Sequence, residues 1–168
     1  MILHHVSLGT RDVPRAVSFY DAVLKALGYR RVMEFMPYAV AYGVDHPDFW
    51  IQVPADQGTA SVGNGVHVAF GARTRAQVNA FHAAALAQGG TDEGAPGLRP
   101  DYGPDYYGAF CRDLDGNKIE ACVVKMPDAK ASSNKSTAKK AAAKKAPAKK
   151  KPVKAKPKST KKKMAKRK

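Results

Sequence analysis

The apolar positions of the chain fall into two phrases of the same shape. From Ile2 to Gly9 they alternate, with Ile2, Val6 and Leu8 on one face, which predicts a strand. Val17, Tyr20, Leu24 and Leu27 then recur at helical spacing up to Gly28. Asp12 suits the N-cap of that helix, Pro14 its first turn and Gly28 its stop. The second phrase sets Val66, Val68 and Phe70 in alternation. Val78, Phe81, Ala85 and Leu86 follow as a helical stripe that begins after Thr74 and ends at Gly89-Gly90. Laying His67–Gly90 on His5–Gly28 needs no gap and gives eight identities in 24 positions, His5/His67, Gly9/Gly71 and Gly28/Gly90 among them. A unit repeated only twice does not stack into a solenoid, so the pattern predicts two modules that face each other.

Behind the first helix, Tyr29–Phe35, Tyr38–Val44 and Phe49–Val53 read as three short strands, divided by Met36-Pro37 and by Asp45–Asp48. The first module is therefore βαβββ. Asp56–Asn64 reads as a linker, and its Gly63-Asn64-Gly65 precedes a strand instead of joining a strand to a helix, which excludes a dinucleotide-binding turn. After the second helix, Gly89–Pro104 is so rich in glycine and proline that any sixth strand there is expected to be short and irregular. Tyr106–Arg112 and Lys118–Val124 then flank Asp113-Leu114-Asp115-Gly116-Asn117, a hairpin signal. A type I turn closed by Gly116 sets Phe110 opposite Glu120; a two-residue Asp115-Gly116 loop sets Cys111 there instead, and both registers remain open. The loop is not a calcium site, because its glycine is fourth instead of sixth and Val124 stands where a glutamate ligand is required.

Candidate chemistry sits on the strand faces turned away from the apolar core. His5 and His67 share register and face. Ile51-Gln52-Val53 is assigned the same modular position as Ile119-Glu120-Ala121, so the expected symmetric set is His5 and Gln52 from one module, His67 and Glu120 from the other. His82, one position past an apolar stripe, reads as structural or solvent-facing. Arg99, Tyr102, Tyr106 and Tyr107 lie in or beside the Gly/Pro-rich loop, which reads equally well as a lid or as a loop pinned by aromatics.

Charge divides the 168-residue chain. Residues 1–128 hold all 14 acidic residues against 11 Lys/Arg, a net −3, whereas residues 129–168 hold 17 lysines and one arginine and no acid, a net +18. The expected organisation is a globular domain at 1–128, with modules at about 1–55 and 64–125, and a disordered Lys-rich tail at 129–168, unable to bury a core and self-repelling. The tail has no aromatic to stack on bases, and lysine lacks arginine's planar fork. Lys139, Lys140, Lys144, Lys145, Lys149, Lys150, Lys151, Lys161, Lys162 and Lys163 are thus expected to bind nucleic-acid phosphates without regard to sequence. Two cysteines, no apolar run of about 18 residues and no secretory signal pattern predict a reduced cytoplasmic protein with no membrane segment, associated with nucleoid or chromatin through its tail.

The HHV opening, the FYDAVLKALGY helix, the NGVHVAF strand and the RDLDGNKIEA hairpin together resemble the vicinal-oxygen-chelate superfamily, the glyoxalase, bleomycin-resistance and extradiol-dioxygenase group. The likeness runs from about Ile2 to Val124, and the tail resembles the Lys/Ala/Pro tails of linker histones and histone-like bacterial proteins. It implies an α+β fold of two paired βαβββ modules that form an open, U-shaped barrel, commonly in a homodimer. It also implies one divalent transition metal (Fe, Mn, Ni, Co or Zn) on His5, His67 and Glu120, with modules paired within one chain or exchanged between two. Two imidazoles and a carboxylate leave coordination positions for the adjacent oxygens of a small substrate. Glu120 is then the one carboxylate with a claim to catalysis. Gln52 stands where many glyoxalase-type sites carry glutamate; an amide is a weak ligand and no base. Trp50, Gln52, Arg99, Tyr102 and Tyr107 are the expected substrate contacts. Three functions follow: a metal-dependent glyoxalase- or dioxygenase-like enzyme tethered to nucleic acid by its tail, a non-catalytic protein that sequesters a small molecule, or a nucleic-acid-associated protein whose function lies in the tail.

Overall fold

The computed structural model describes residues 3–124. The tail, its expected disorder and its ten candidate lysines lie outside the described residues.

Each module is built in the expected order. The first runs β1 (Val6–Gly9), α1 (Val13–Lys25), β2 (Arg30–Phe35), β3 (Ala39–Gly43) and β4 (Phe49–Gln52). The second runs β5 (His67–Gly71), α2 (Arg75–Ala87), β6 (Thr91–Leu98), β7 (Tyr107–Arg112) and β8 (Lys118–Val123). Both helices start where short polar side chains can take an otherwise unpaired N–H. The Asp12 carboxylate accepts from the Arg15 amide at 2.9 Å, and the Thr74 hydroxyl accepts from the Gln77 amide at 3.2 Å. In both modules the chain leaves its helix through a glycine in the left-handed region, Gly28 (φ 85°) and Gly89 (φ 89°), as their helix-stop role requires.

The sheets repeat one topology, β1-β4-β3-β2 and β5-β8-β7-β6, in which the first strand of each module pairs in parallel with the last and lies at a sheet edge. Each helix covers one face of its own sheet. Tyr20, Val23 and Leu24 of α1 and Val78, Phe81 and Ala85 of α2 are buried in one core shared by both modules, where the Phe49 and Phe70 rings meet edge to face at 4.9 Å. One expectation is corrected. Strand β6 is irregular, as expected, but it spans eight residues despite Pro96 and its glycines, because it is an edge strand whose pairing with β7 shifts register at Asp92–Gly94 and again at Gly94–Gly97. Among the described residues no strand of the first sheet neighbours a strand of the second, and the modules of one chain meet through α1 and α2.

The hairpin that looked like a calcium loop locks the modules together. Gly116 (φ 92°) closes the turn, and Phe110 pairs with Glu120, which selects the first of the two registers. Buried Asp113 accepts from Tyr20 Oη of α1 at 2.7 Å, from Asn117 Nδ2 at 2.9 Å and from the backbone amides of Asp115 and Asn117. Asp115 accepts from Thr10 Oγ1 at 2.6 Å and from the Arg11 amide at 3.2 Å, while Asn117 Nδ2 also donates to the Gly9 carbonyl. Both carboxylates are thus saturated by protein donors, four of which come from the first module or bridge to it. Burial and the neighbouring Asp113 push the Tyr20 hydroxyl well above its ordinary pKa, so it remains a donor across the accessible pH range.

Candidate functional site

Strand pairing sets which side chains share the face of the second sheet that its helix leaves open, because directly opposed residues point the same way. The first row across that face is His67, Lys118 and Arg112; the second is Ala69, Glu120, Phe110 and Gly94; the third is Gly71, Cys122, Gly108 and Gly97. His67 and Glu120 are diagonal neighbours on adjacent strands, with Nε2 and Oε2 3.2 Å apart. Glu120 is only 1% exposed, and a carboxylate so buried needs partners for both oxygens. Its Oε1 accepts from the Tyr106 hydroxyl at 2.5 Å, a charge-assisted contact at the short end of the range, and its Oε2 faces His67.

The space for this arrangement is cut by Gly108, where an added Cβ would stand 2.9 Å from Glu120 Oε1 and 3.1 Å from Tyr106 Cε1. Burial, with the Cys122 thiol and Glu120 alongside, holds the Tyr106 phenol far above its ordinary pKa, so it stays protonated and donating. The Cys122 thiol is itself raised by burial, although its bond with Tyr106 opposes the shift. Cys111, on the helix side of the same sheet, is pushed up to about 12 by burial and is inert as a nucleophile at neutral pH.

Two donors to one ion, each about 2.0–2.2 Å from it, lie about 3.0–3.5 Å apart. The His67–Glu120 separation meets this without movement, and Tyr106 leaves Oε2 as the oxygen turned toward His67. The pair therefore fits two of the three donors of a two-histidine, one-carboxylate centre. Among the described residues of one chain the third donor is not in place. His5 is exposed, its Nδ1 lies 2.8 Å from His4 Nδ1, and the His4 ring packs on His46 at 4.5 Å. Among the described residues no three His, Cys, Asp or Glu side chains gather as a metal-binding group.

The first module presents its open face in the same rows, with different chemistry. Ser7, Trp50, Ala41 and Met33 form one row, and Gly9, Gln52, Ala39 and Phe35 the next. The Phe35 ring, half exposed, stacks on Trp50 at 6.1 Å. This pairing corrects the expected symmetry. Aligning His5 with His67 makes Phe49 equivalent to Ile119, so Trp50 holds the position of Glu120 and Gln52 that of Cys122. The error arose from matching the Ile51-Gln52 and Ile119-Glu120 dipeptides by likeness, when the parallel partner of each first strand decides the register.

The loop candidates divide. Tyr102 is exposed, packs edge to face on Tyr106 at 5.4 Å and borders the cleft beside His67. Arg99 lies 5.5 Å from the centre of the Phe110 ring and donates to the Ala95 carbonyl. Tyr107, expected in the cleft, is on the helix side, with its hydroxyl on Asn79 and its ring under Arg75 of α2. His82 is structural, buried and 2.8 Å from Asp92. Arg112, Lys118 and Cys122 enter the site without having been singled out in the sequence, and Tyr106 and Phe110 were named there only as a loop aromatic and as the residue opposite Glu120. The alternation Lys118-x-Glu120-x-Cys122 was the available signal for β8, whereas Tyr106 reaches Glu120 from a loop that no periodicity describes.

The sequence profile of the Glyoxalase/Bleomycin resistance protein/Dioxygenase superfamily matches residues 2–121, and the chain belongs to that superfamily. A glyoxalase/bleomycin resistance protein from Albidiferax ferrireducens is 38% identical, with 73% of this chain and 98% of that chain covered and a TM-score of 0.63. Lactoylglutathione lyase from Agrobacterium tumefaciens (20% identity, 73% and 92% covered, TM-score 0.51) and TioX from Micromonospora sp. ML1 (16%, 74% and 100%, TM-score 0.53) share the fold. No curated protein matches the chain. Among the described residues no helix is long and apolar enough to cross a membrane.

Proposed function

We propose that the protein is a metal-dependent enzyme acting on a small substrate with adjacent oxygens, and that its site is completed between two copies of the chain. The observation that carries this reading is the buried Glu120 carboxylate. One of its oxygens is clamped by Tyr106 and the other is held 3.2 Å from an exposed imidazole, an arrangement with no purpose in the core. His5 is the third donor. It lies on an open edge of the first module, and the β1 and β5 edges have no partner among the described strands. A second copy placed edge to edge, β1 against β5, would join two four-stranded sheets into the open barrel and set His5 of one chain beside His67 and Glu120 of the other. Isologous two-fold pairing makes two equal sites. The bound ion would serve as a Lewis acid for the substrate's adjacent oxygens. Glu120, held between Tyr106 and His67, is the carboxylate poised to move a proton; Trp50, with Phe35 stacked on it, would flank the substrate from the first module.

The test is metal analysis of full-length protein purified without a His-tag. The reading expects about one transition metal per chain, lost in Glu120→Ala. Wild-type protein that carries no metal and takes none up would instead favour sequestration of a small molecule by the same faces.

A second activity is proposed for residues 129–168, on their +18 charge in 40 residues. They bind nucleic-acid phosphates without sequence preference. With some six to ten lysines engaged, affinity for duplex DNA should fall by roughly 10³–10⁵ between 50 and 200 mM salt. An electrophoretic shift of equal strength for residues 1–128 alone would refute it.

A further inference from the structure

The first row of the second sheet carries cations that the metal-centred reading does not use. Beside His67, Lys118 and Arg112 stand side by side and border a cleft of about 500 Å3, whose far wall is Tyr102 and the backbone of Gly63-Asn64-Gly65. Phe110 forms its floor, with the Lys118 ammonium 5.0 Å and the Arg99 guanidinium 5.5 Å from the ring centre. One carboxylate answers two of these three cations directly: Glu93 accepts from Arg112 Nε at 2.6 Å and lies 3.3 Å from Lys118 Nζ. Glu120 is buried and already held by Tyr106 and His67. The cleft is therefore cationic, with an apolar floor.

We propose that this cleft takes the carboxylate end of a small organic acid, with Lys118 and Arg112 as its anion contacts and the body of the acid directed toward His67 and Glu120. Both cations lie in the row next to Glu120, so an acid bound there presents its neighbouring carbon and oxygen to the His67–Glu120 pair. Among the described residues, Arg112 is oriented by bonds through Nε to Glu93 and through Nη1 to the Gly116 carbonyl. Its planar group and the Lys118 ammonium thus offer two separate donor points, which suit the two oxygens of a carboxylate. The first module's rows of Ser7, Trp50, Ala41 and Met33 and of Gly9, Gln52, Ala39 and Phe35 carry no charge, so these rows offer an acid no second anchor. That the acid is a substrate rests on the proposed function above; that the cleft binds it does not.

The experiment is a titration of the full-length protein with oxalate in metal-free buffer, followed by the ¹H–¹⁵N signals of Gly63, Gly65 and Val66. Oxamide, the neutral isostere, and inorganic phosphate are titrated in parallel. The expected result is a saturable shift with oxalate and none with oxamide. Lys118→Met should weaken oxalate about tenfold, the loss of one charge-assisted contact, and Lys118→Arg should retain it. Tail lysines contribute equally in every variant, so the difference between variants reports the cleft. Lys118 is partly exposed and has one ion pair, so its replacement leaves the fold intact, which the dispersion of the same spectra verifies. Equal oxalate affinity in wild type and Lys118→Met, equal shifts with oxamide, or tighter binding of phosphate than of oxalate would overturn the assignment. Because no metal is present, a protein that binds oxalate here but never binds metal would refute the metal centre and leave the anion cleft standing.

Discussion

The two modules share topology, helix placement and caps, yet their open faces have little in common. The first offers Met33, Phe35, Trp50 and Gln52, aromatic and uncharged; the second offers His67, Arg112, Lys118 and Glu120, with Tyr106 and Cys122. Residues of one parity are tied to a shared core, where a change in volume is felt at once. Residues of the other parity face outward and are free to specialise. A repeat can therefore stay readable in its buried positions while its two exposed faces become chemically distinct, one largely apolar and one ionic.

The largest expected effect falls on the link that holds the two modules of a chain together. Asp113→Ala removes the acceptor for Tyr20 Oη and for two backbone amides at once, leaving buried donors unmet. It should cost about 3 kcal/mol in urea unfolding. A loss below about 1 kcal/mol would show that the modules are held by apolar packing alone.

The comparison sharpens at the position equivalent to Glu120. Trp50→Glu places a second carboxylate where the pairing of β1 with β4 puts one and should raise metal affinity about tenfold. Gln52→Glu, the change that sequence likeness suggests, should leave it nearly unchanged because that position matches Cys122. Calorimetric titration with Ni²⁺ or Zn²⁺ separates the two; the reverse ranking would restore the sequence-based equivalence.

Tyr106→Phe keeps the ring and removes the donor to Glu120 Oε1. Metal affinity should fall several-fold, up to about tenfold, and with cobalt bound the visible spectrum should change as the freed oxygen becomes available as a second ligand atom. An unchanged spectrum and affinity would make Tyr106 a packing residue.

The smallest effect belongs to the outer surface of the first module. Asp21 is held below its ordinary value of 3.8, chiefly by hydrogen bonds from Arg31, with Tyr42 adding another. A depressed carboxylate contributes stability that is present above the unfolded-chain value and fades as pH falls through the lower folded one. Because the pair is more than one-third exposed on the Asp21 side, the contribution should be under about 1 kcal/mol. Asp21→Asn should lower stability slightly at pH 7 and not at pH 2, with urea midpoints as the measure.

Much of this architecture was legible in the chain. The 62-residue repeat located both strand–helix units, and Asp12, Thr74, Gly28 and Gly89 marked the helix ends because capping is local chemistry. That His67 and Glu120 point to the face away from the helix was legible as well, since parity on a strand survives without knowledge of its partner. Three things were not. The eight-residue β6 hides behind Pro96 and its glycines, which an edge strand with bulges tolerates. Whether Trp50 or Gln52 matches Glu120 depends on the register of a parallel pair some 40 residues apart in sequence. Tyr107 and Tyr106 are adjacent in sequence and lie on different sides of the molecule, one under Arg75 and one on Glu120, which only the end of the loop decides.

The central claim, a site shared between two chains, is tested most directly by mixing two defective proteins. On the proposed arrangement His5→Ala and Glu120→Ala would each destroy both sites of a homodimer, but a mixed dimer would pair the His5 of one chain with the His67 and Glu120 of the other and so regain one intact site. After subunit exchange in an equimolar mixture, tightly bound metal should rise from near zero for either variant alone to about 0.25 per chain, the value set by random two-fold pairing. A mixture that binds no more metal than its separate components would contradict the shared site.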